Sequence, residues 1–397
     1  MFLPIDNVPR DYAWGSRTAI AEALGRVASG GPEAELWLGT HPGSPSLVID
    51  PGVAPAERTT LDRFLSAHGQ PPLGFLLKVL AAARPLSLQV HPTTEQAREG
   101  FARENAAGIP LDAPHRNYRD ASAKPELIMA LADGFEALSG FREISESLTV
   151  LRDFARAATA AGDVDGAAAV TDFAHRVAQH GLADAVTFAL TDPGATDIAR
   201  AVRDAATSGA SDVSPRDRET VLWLTDEYGA EPGIVIALLL HRVTLRSGQA
   251  LYLGAGNLHA YLRGLGIEVM AASDNVLRGG LTTKHIDVPE LLRVASWEPV
   301  AAPVWPASPE GSGVTAFRPP VDDFVLYSVR DPEPSAVVTS HDPGIVLVLD
   351  GELSVSGASS STVLTRGQAL FVSSDEFPVS FTGRGYAVLA TGQKTGT

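Results

Sequence analysis

Leu86-Ser87-Leu88-Gln89-Val90-His91-Pro92 alternates apolar and polar side chains residue by residue. On a β-strand, alternate side chains share a face. Ser87, Gln89 and His91 would stand on one side, with Leu86, Leu88 and Val90 behind them. A strand that aims a hydroxyl, an amide and an imidazole at one place is built for a polar site. The sequence around it carries the same signature. Residues 1–142 are mostly short apolar runs broken by Gly, Pro and Asn, such as Phe75-Leu76-Leu77-Lys78-Val79-Leu80 and Leu127-Ile128-Met129-Ala130-Leu131. Short strands at this spacing predict a β-sandwich or barrel. Two short helices interrupt it: Thr60 to about His68, stopping at Gly69, and one after Thr93, with Gln96 completing a capping box.

Near Ile144 the composition changes. To about Tyr228 the chain is Ala-rich, with Leu148, Leu151, Phe154 and Ala155 at helical spacing and Phe173 and Val177 four apart. Ser214-Pro215 reads as a helix start, with Asp217 in the first turn and an end near Gly229. Beyond Gly233 the β pattern returns, and a repeat appears. Gly248-Gln249-Ala250-Leu251-Tyr252-Leu253 is matched by Gly367-Gln368-Ala369-Leu370-Phe371-Val372, which indicates two related β units. In the second unit Pro378 stands where the first has His259, so the C-terminal unit is expected to carry no metal ligand. The resulting division is a β domain of residues 1–143 with 230–300, a helical insertion of 144–229, and a C-terminal β domain of 301–397. The fold class is mainly β with an α-helical insertion.

The bulk properties exclude several functions. The chain has 397 residues, 45% of them hydrophobic and 20% charged, the balance of a soluble globular protein. The formal net charge of −16 argues against a nucleic-acid or anionic-membrane partner. The longest apolar run, Ile234 to Leu240, is too short to cross a bilayer. Met1-Phe2-Leu3-Pro4-Ile5-Asp6 does not read as a secretion signal. There is no cysteine, so any metal must use His, carboxylate or amide ligands. A cytoplasmic monomer acting on a small molecule is expected.

Lys124-Pro125-Glu126 and Gly256-Asn257-Leu258-His259-Ala260-Tyr261 complete the candidate site. With the first strand they offer two histidines, a carboxylate and an amide oxygen, a set suited to a divalent metal with room left for substrate. A lone strand histidine is more often structural than a ligand. Gln89 two residues before His91 raises the odds, because a strand presents both to one point. Lys78, Lys124, Arg278 and Lys284 are candidates for a basic patch that holds a small anion. Ala271-Ala272-Ser273-Asp274-Asn275 taken alone is a turn with an Asx motif, and Trp14 and Trp37 suit a core or pocket wall.

In order along the chain, the motifs resemble the type I mannose-6-phosphate isomerases (phosphomannose isomerases) of the cupin superfamily. The resemblance runs from Tyr12-Ala13-Trp14-Gly15-Ser16 through Ala34-Glu35-Leu36-Trp37-Leu38-Gly39-Thr40-His41-Pro42, Leu88-Gln89-Val90-His91-Pro92 and Lys124-Pro125-Glu126. It ends in Met270-Ala271-Ala272-Ser273-Asp274-Asn275-Val276-Leu277-Arg278-Gly279-Gly280-Leu281-Thr282. It implies two cupin-like jelly-roll domains around the helical insertion, and one Zn2+ per chain held by Gln89, His91, Glu126 and His259. It further implies that Arg278 is the active-site arginine, that Lys124, Asp274 and Glu268 belong to the catalytic set, and that Ser87, Lys78, Tyr261, Lys284 and Trp14 contact the sugar phosphate. Glu35 is expected as a buried charge near the metal.

The implied activity is interconversion of mannose 6-phosphate and fructose 6-phosphate through an enediol(ate), which would supply mannose for GDP-mannose and glycan synthesis or for catabolism. Such chemistry needs a base near C1 and C2, stabilisation of a developing oxyanion, and a Lewis acid. Arg278 does not readily lose a proton and is expected to stabilise negative charge. The family often has Asn-His before Lys-Pro-Glu, whereas this chain has Ser122-Ala123. A mechanism here must therefore use other groups. Another metal-dependent sugar-phosphate isomerase, or a metal-binding sugar-sensing cupin without turnover, are the alternative readings.

Overall fold

Two antiparallel sheets of ten strands each carry the molecule, in a computed structural model that describes residues 1–209, 212–301 and 304–393. A block of helices is inserted into the first sheet, in agreement with a mainly β fold interrupted by helix. The repeat seen in the sequence is a repeated structural device. Ala250–Leu253 and Ala369–Val372 are both strands. Each follows a glycine in the left-handed region, Gly248 at φ 81° and Gly367 at φ 83°. In each turn the glutamine Oε1 accepts a backbone N–H at 2.8 Å, Gln249 from Arg246 and Gln368 from Thr365.

The helices follow their local signals. Thr93 and Gln96 cap each other at the start of Thr94–Ala106. Ser214 accepts the Asp217 N–H at the start of Pro215–Tyr228, and Gly229 closes that helix. Ile144–Ala160, Val164–Thr191, Ala195–Ser208 and Pro215–Tyr228 bury Leu151, Phe154, Phe173, Val177, Val202 and Leu224 in one core. That core also takes Leu88, Val90, Leu258 and Leu277, so the insertion backs the strands that carry the site.

Four features depart from the sequence reading. The opening strand is only Leu88–Val90: ahead of it the Leu86 N–H donates to the Tyr261 carbonyl at 2.8 Å, but the paired ladder begins at Leu88. Ser87 therefore precedes the strand, and Leu86 faces the cavity rather than the core of Leu88 and Val90. The apolar run Ile234–Leu240 begins as the buried helix Gly233–Ala237 and becomes strand only at Leu240. An unbroken apolar run has no period to separate the two. The helices Ala19–Leu24 and Val288–Val294 are short and were not anticipated. Finally, Phe2–Asp6 belongs to the C-terminal sheet and not to the first β domain: it pairs with Ala369–Val372, Phe2 opposite Val372.

That crossover is part of a larger contact. On strands Phe75–Ala82, Glu126–Ala130 and His259–Ala271, one face presents Leu77, Val79, Leu127, Met129, Ile267 and Val269. These pack with Ile345, Leu347, Phe371 and Val388 of the second sheet in a shared core. The opposite face is free to build the site.

Candidate active site

The strand His259–Ala271 organises the site by turning a corner. Its first arm pairs with Phe135–Phe141 and, at His259, with Gln89; its second pairs with Phe75–Ala82 and Glu126–Ala130. The register shifts between Tyr261 and Arg263, and Gly264 follows at φ 129°. A side chain there would strike Phe135, whose Cδ2 lies 2.6 Å from the Cβ position, so the corner requires glycine. The bend folds His259 and Tyr261 towards Glu268 and Met270. The Tyr261 hydroxyl donates to Glu268 Oε1 at 2.8 Å across it.

Directly opposed residues of antiparallel strands share a face. Trp37 lies opposite Lys78, Lys78 opposite Glu268, and Glu126 opposite Met270. They wall a cavity of about 320 Å³, whose lining also includes Tyr12, Trp14, Glu35, His41, Gln89, Lys124, Tyr261, Asp274 and Lys284. Thus Gln89, Lys124, Glu126, Glu268, Asp274, Tyr261, Lys78, Lys284 and Trp14 all line this one cavity. His91 and His259 stand behind Glu126. Ser87 and Arg278 do not line the cavity; Arg278 sits opposite Gln89 in the register, at the edge. Trp37 is pocket wall, one of the two places its sequence suits, whereas Tyr12 and His41 join the lining with no role assigned from the sequence. Their signal was position in a motif, since an aromatic or a histidine near a strand end carries no local mark of function. A larger cleft of about 540 Å³ lies between Pro71–Phe75 and the C-terminal sheet and shares no lining residue with this cavity.

At the cavity floor three ligand atoms converge. His91, Glu126 and His259 offer atoms within 4.8 Å of one another, the only such group of His, Cys, Asp and Glu among the described residues. His91 Nδ1 lies 2.8 Å from the Asn275 carbonyl and His259 Nδ1 2.9 Å from the Asn257 carbonyl. A carbonyl only accepts, so each ring carries its proton on Nδ1 and turns a lone pair at Nε2 towards Glu126. The separations are 3.3 Å from His91 Nε2 to Glu126 Oε1 and 3.5 Å from His259 Nε2 to Glu126 Oε2. Both Nε2 atoms and Glu126 Oε2 are buried without a hydrogen bond. Three unsatisfied acceptors aimed at one another cost free energy that a cation between them would relieve. Gln89, cross-strand neighbour of His259, adds an amide from the cavity side. The donor set fits a borderline cation bound by nitrogen and oxygen.

The protonation states suit this arrangement. Burial pulls the His91 pKa down to about 4, with Glu126 opposing. Burial works against ionisation of Glu126, but Lys124 and His91 hold it well below the usual carboxylate range. Lys124 Nζ lies 2.9 Å from Glu126 Oε1. Next to this stands a second buried network. Lys78 Nζ is 2.9 Å from Glu268 Oε2 and 3.4 Å from Glu35 Oε1, and the Trp37 indole N–H donates to Glu35 Oε2 at 3.0 Å. Burial disfavours the Lys78 charge, yet Glu268 and Glu35 raise its pKa above that of an ordinary lysine. Burial raises the Glu268 pKa, and Lys78 offsets this only in part.

Lys284 of the lining stands close to two further cations, Arg278 and Arg119. Burial lowers the Arg278 pKa, and repulsion from Arg119 adds to it; burial lowers that of Lys284, followed by Arg278 and Arg119. These three cations repel one another, and among the described residues none has a carboxylate within ion-pair distance. The Arg119 N–H donates to Asn275 Oδ1 at 2.7 Å, which ties it to the turn leading into Arg278.

The chain matches relatives of the same length and fold. It is 36% identical over 392 residues to the mannose-6-phosphate isomerase of Escherichia coli (strain K12), covering 96% of each chain. The chain belongs to the mannose-6-phosphate isomerase family. Residues 2–144 match the family model for the phosphomannose isomerase type I catalytic domain. The Bos taurus mannose-6-phosphate isomerase is 30% identical over 413 residues, with 94% of this chain and 93% of that one covered. A crystal structure of mannose 6-phosphate isomerase bound with zinc and yttrium superposes with a TM-score of 0.86 at 33% identity, covering 99% of this chain and 100% of the other. The family is one of cupin-fold isomerases, as the motifs implied. No helix of the described chain is long and apolar enough to cross a membrane.

Proposed function

We propose that this cavity interconverts mannose 6-phosphate and fructose 6-phosphate, with one Zn2+ held by Gln89, His91, Glu126 and His259. The observation that carries the reading is the set of three buried acceptor atoms, on His91, Glu126 and His259, at the floor of a cavity walled by proton-transfer groups. When bound, the zinc supplies Lewis acidity towards the sugar oxygens.

The remaining work falls to the chain. Arg278, Lys284 and Arg119 form an unpaired cationic cluster, which suits the phosphate dianion and leaves C1 and C2 directed inward. Arg278 thereby acts first on substrate binding, from outside the cavity lining. Lys124 and the Lys78–Glu268 pair stand on the floor and wall, where a proton leaves one carbon and returns to the next. Burial keeps Glu268 nearer to neutral pH than a solvated carboxyl, which suits exchange of that proton. Tyr261 and Glu35 orient Glu268 and Lys78. A sugar-binding protein without turnover would not require these charges, which cost free energy to bury.

The test is a coupled assay of purified protein with mannose 6-phosphate, with metal content measured on the same sample. Turnover is expected, with loss on chelation and recovery on addition of zinc. Full activity in rigorously metal-free protein would overturn the role of the metal. Absence of turnover in zinc-replete protein would overturn the activity.

A further inference from the structure

His41 is a buried imidazole in the cavity wall that the metal site does not use. It lies in the turn after strand Glu35–Leu38, 5% exposed. Its Nδ1 accepts the backbone N–H of Gly43 at 3.1 Å, so in the neutral ring the proton sits on Nε2. Nε2 lies 3.5 Å from Asp274 Oδ1. The ring is held edge-on to Trp37, with centroids 5.0 Å apart and planes at 87°. Gly43 permits the close turn: a Cβ there would lie 3.2 Å from both His41 Nδ1 and the Trp37 ring.

Asp274 is the complementary case. Its backbone is fixed, the N–H donating to Asp120 Oδ2 at 2.9 Å. Its side chain is 47% exposed, and among the described residues His41 is the only basic group within 4.0 Å of the carboxylate. A carboxylate at a cavity mouth with one contact swings between rotamers unless that contact holds it.

We propose that His41 is a positioning residue whose Nε2–H holds one oxygen of Asp274 and turns the other to accept a hydrogen bond from a sugar hydroxyl. The proposal rests on the isomerase reading above. A neutral donor suits the task. Burial lowers the His41 pKa; Lys78 and Lys124 act in the same direction, while Asp274 and Asp120 oppose. The Gly43 N–H would also clash with a second ring proton. The ring thus keeps its tautomer and its aim while substrate binds and leaves.

A double-mutant cycle in zinc-replete protein tests it. His41→Phe is expected to lower kcat/KM on the order of tenfold to a hundredfold, the effect of misplacing a reacting group. Asp274→Asn should lose a similar factor, and the double variant no more than the Asp274 single. His41→Gln, whose amide reaches the place of Nε2, should restore most of the loss. Zinc content should match the parent in every variant. If the losses of the two single variants multiply, or if His41→Gln is as poor as His41→Phe, His41 serves packing alone and the proposal is overturned. A second readout does not depend on turnover. In 15N-histidine-labelled holoenzyme, His41 should show a protonated Nε2 and an unprotonated Nδ1 at neutral pH, and Asp274→Asn should shift the Nε2–H resonance. The opposite tautomer, or no shift, would overturn it even if the substrate reading stands. The expected spectrum in protein without mannose 6-phosphate turnover would place the failure in that reading instead.

Discussion

Burial does two things at His91. It removes the imidazole from water, and it points an unsatisfied lone pair at Glu126. The first lowers the pKa from an ordinary 6.5 to about 4, and the sign of the consequence follows. Between these values the unfolded chain binds a proton that the folded, metal-free chain refuses. Stability of the metal-free protein is therefore intact above pH 6.5 and lost as the pH falls towards 4. The loss approaches about 3 kcal/mol at the lower end. Thermal unfolding of chelated protein at neutral and acid pH should show it, and His91→Gln should remove this part of the acid dependence. An unchanged acid dependence in that variant would contradict the account. At this scale the sequence was informative wherever side chains act on near neighbours: Gln89 beside His91, Lys124 beside Glu126. It was uninformative for His41, whose partner Asp274 is 233 positions away, and for Ser87, which lies just ahead of the paired ladder.

A single element, the strand His259–Ala271, carries His259 of the candidate metal site at its start and the buried carboxylate Glu268 near its end. What joins these functions is the corner at Gly264. Gly264→Ala would place a Cβ 2.6 Å from Phe135 Cδ2, at a φ of 129°. The strain and overpacking are expected to cost about 3 kcal/mol, and the Tyr261–Glu268 bond across the bend should loosen, so that activity falls further than stability. Denaturant unfolding with the coupled assay measures both. A variant within about 0.5 kcal/mol of the parent would show that the corner tolerates a side chain. The helix ends were legible because caps are local: Thr93 with Gln96, and Ser214-Pro215 with Gly229. The corner was not, because a glycine in a strand marks a bend only when its neighbours across the sheet are known.

Across the whole molecule, the back of the first sheet is the floor of a core shared with the C-terminal sheet. Leu77, Val79, Leu127, Met129, Ile267 and Val269 lie directly behind Lys78, Glu126 and Glu268 in the same strands. We expect removal of residues 305–397 to expose that face and give an insoluble protein, although every residue of the candidate metal site is retained. The Phe2–Asp6 strand would lose its partner as well. A soluble, monodisperse truncation with parental activity would refute this. The second sheet thus acts as the rear wall that keeps the first sheet's curvature.

The sequence by itself determined the chemistry of the donors, the strand and helix periods, the caps, and the repeat that announces two β units. All of these depend on neighbours within a few residues, where the geometry of strand and helix leaves little choice. Tertiary structure alone decided which of these groups meet. It turned Leu86 into the cavity, kept Arg278 out of the cavity lining, brought His41 to Asp274, and sent the first strand into the last sheet. Those outcomes depend on how a corner at Gly264 and a shared apolar face bring distant segments together, and no period along the chain encodes that distance.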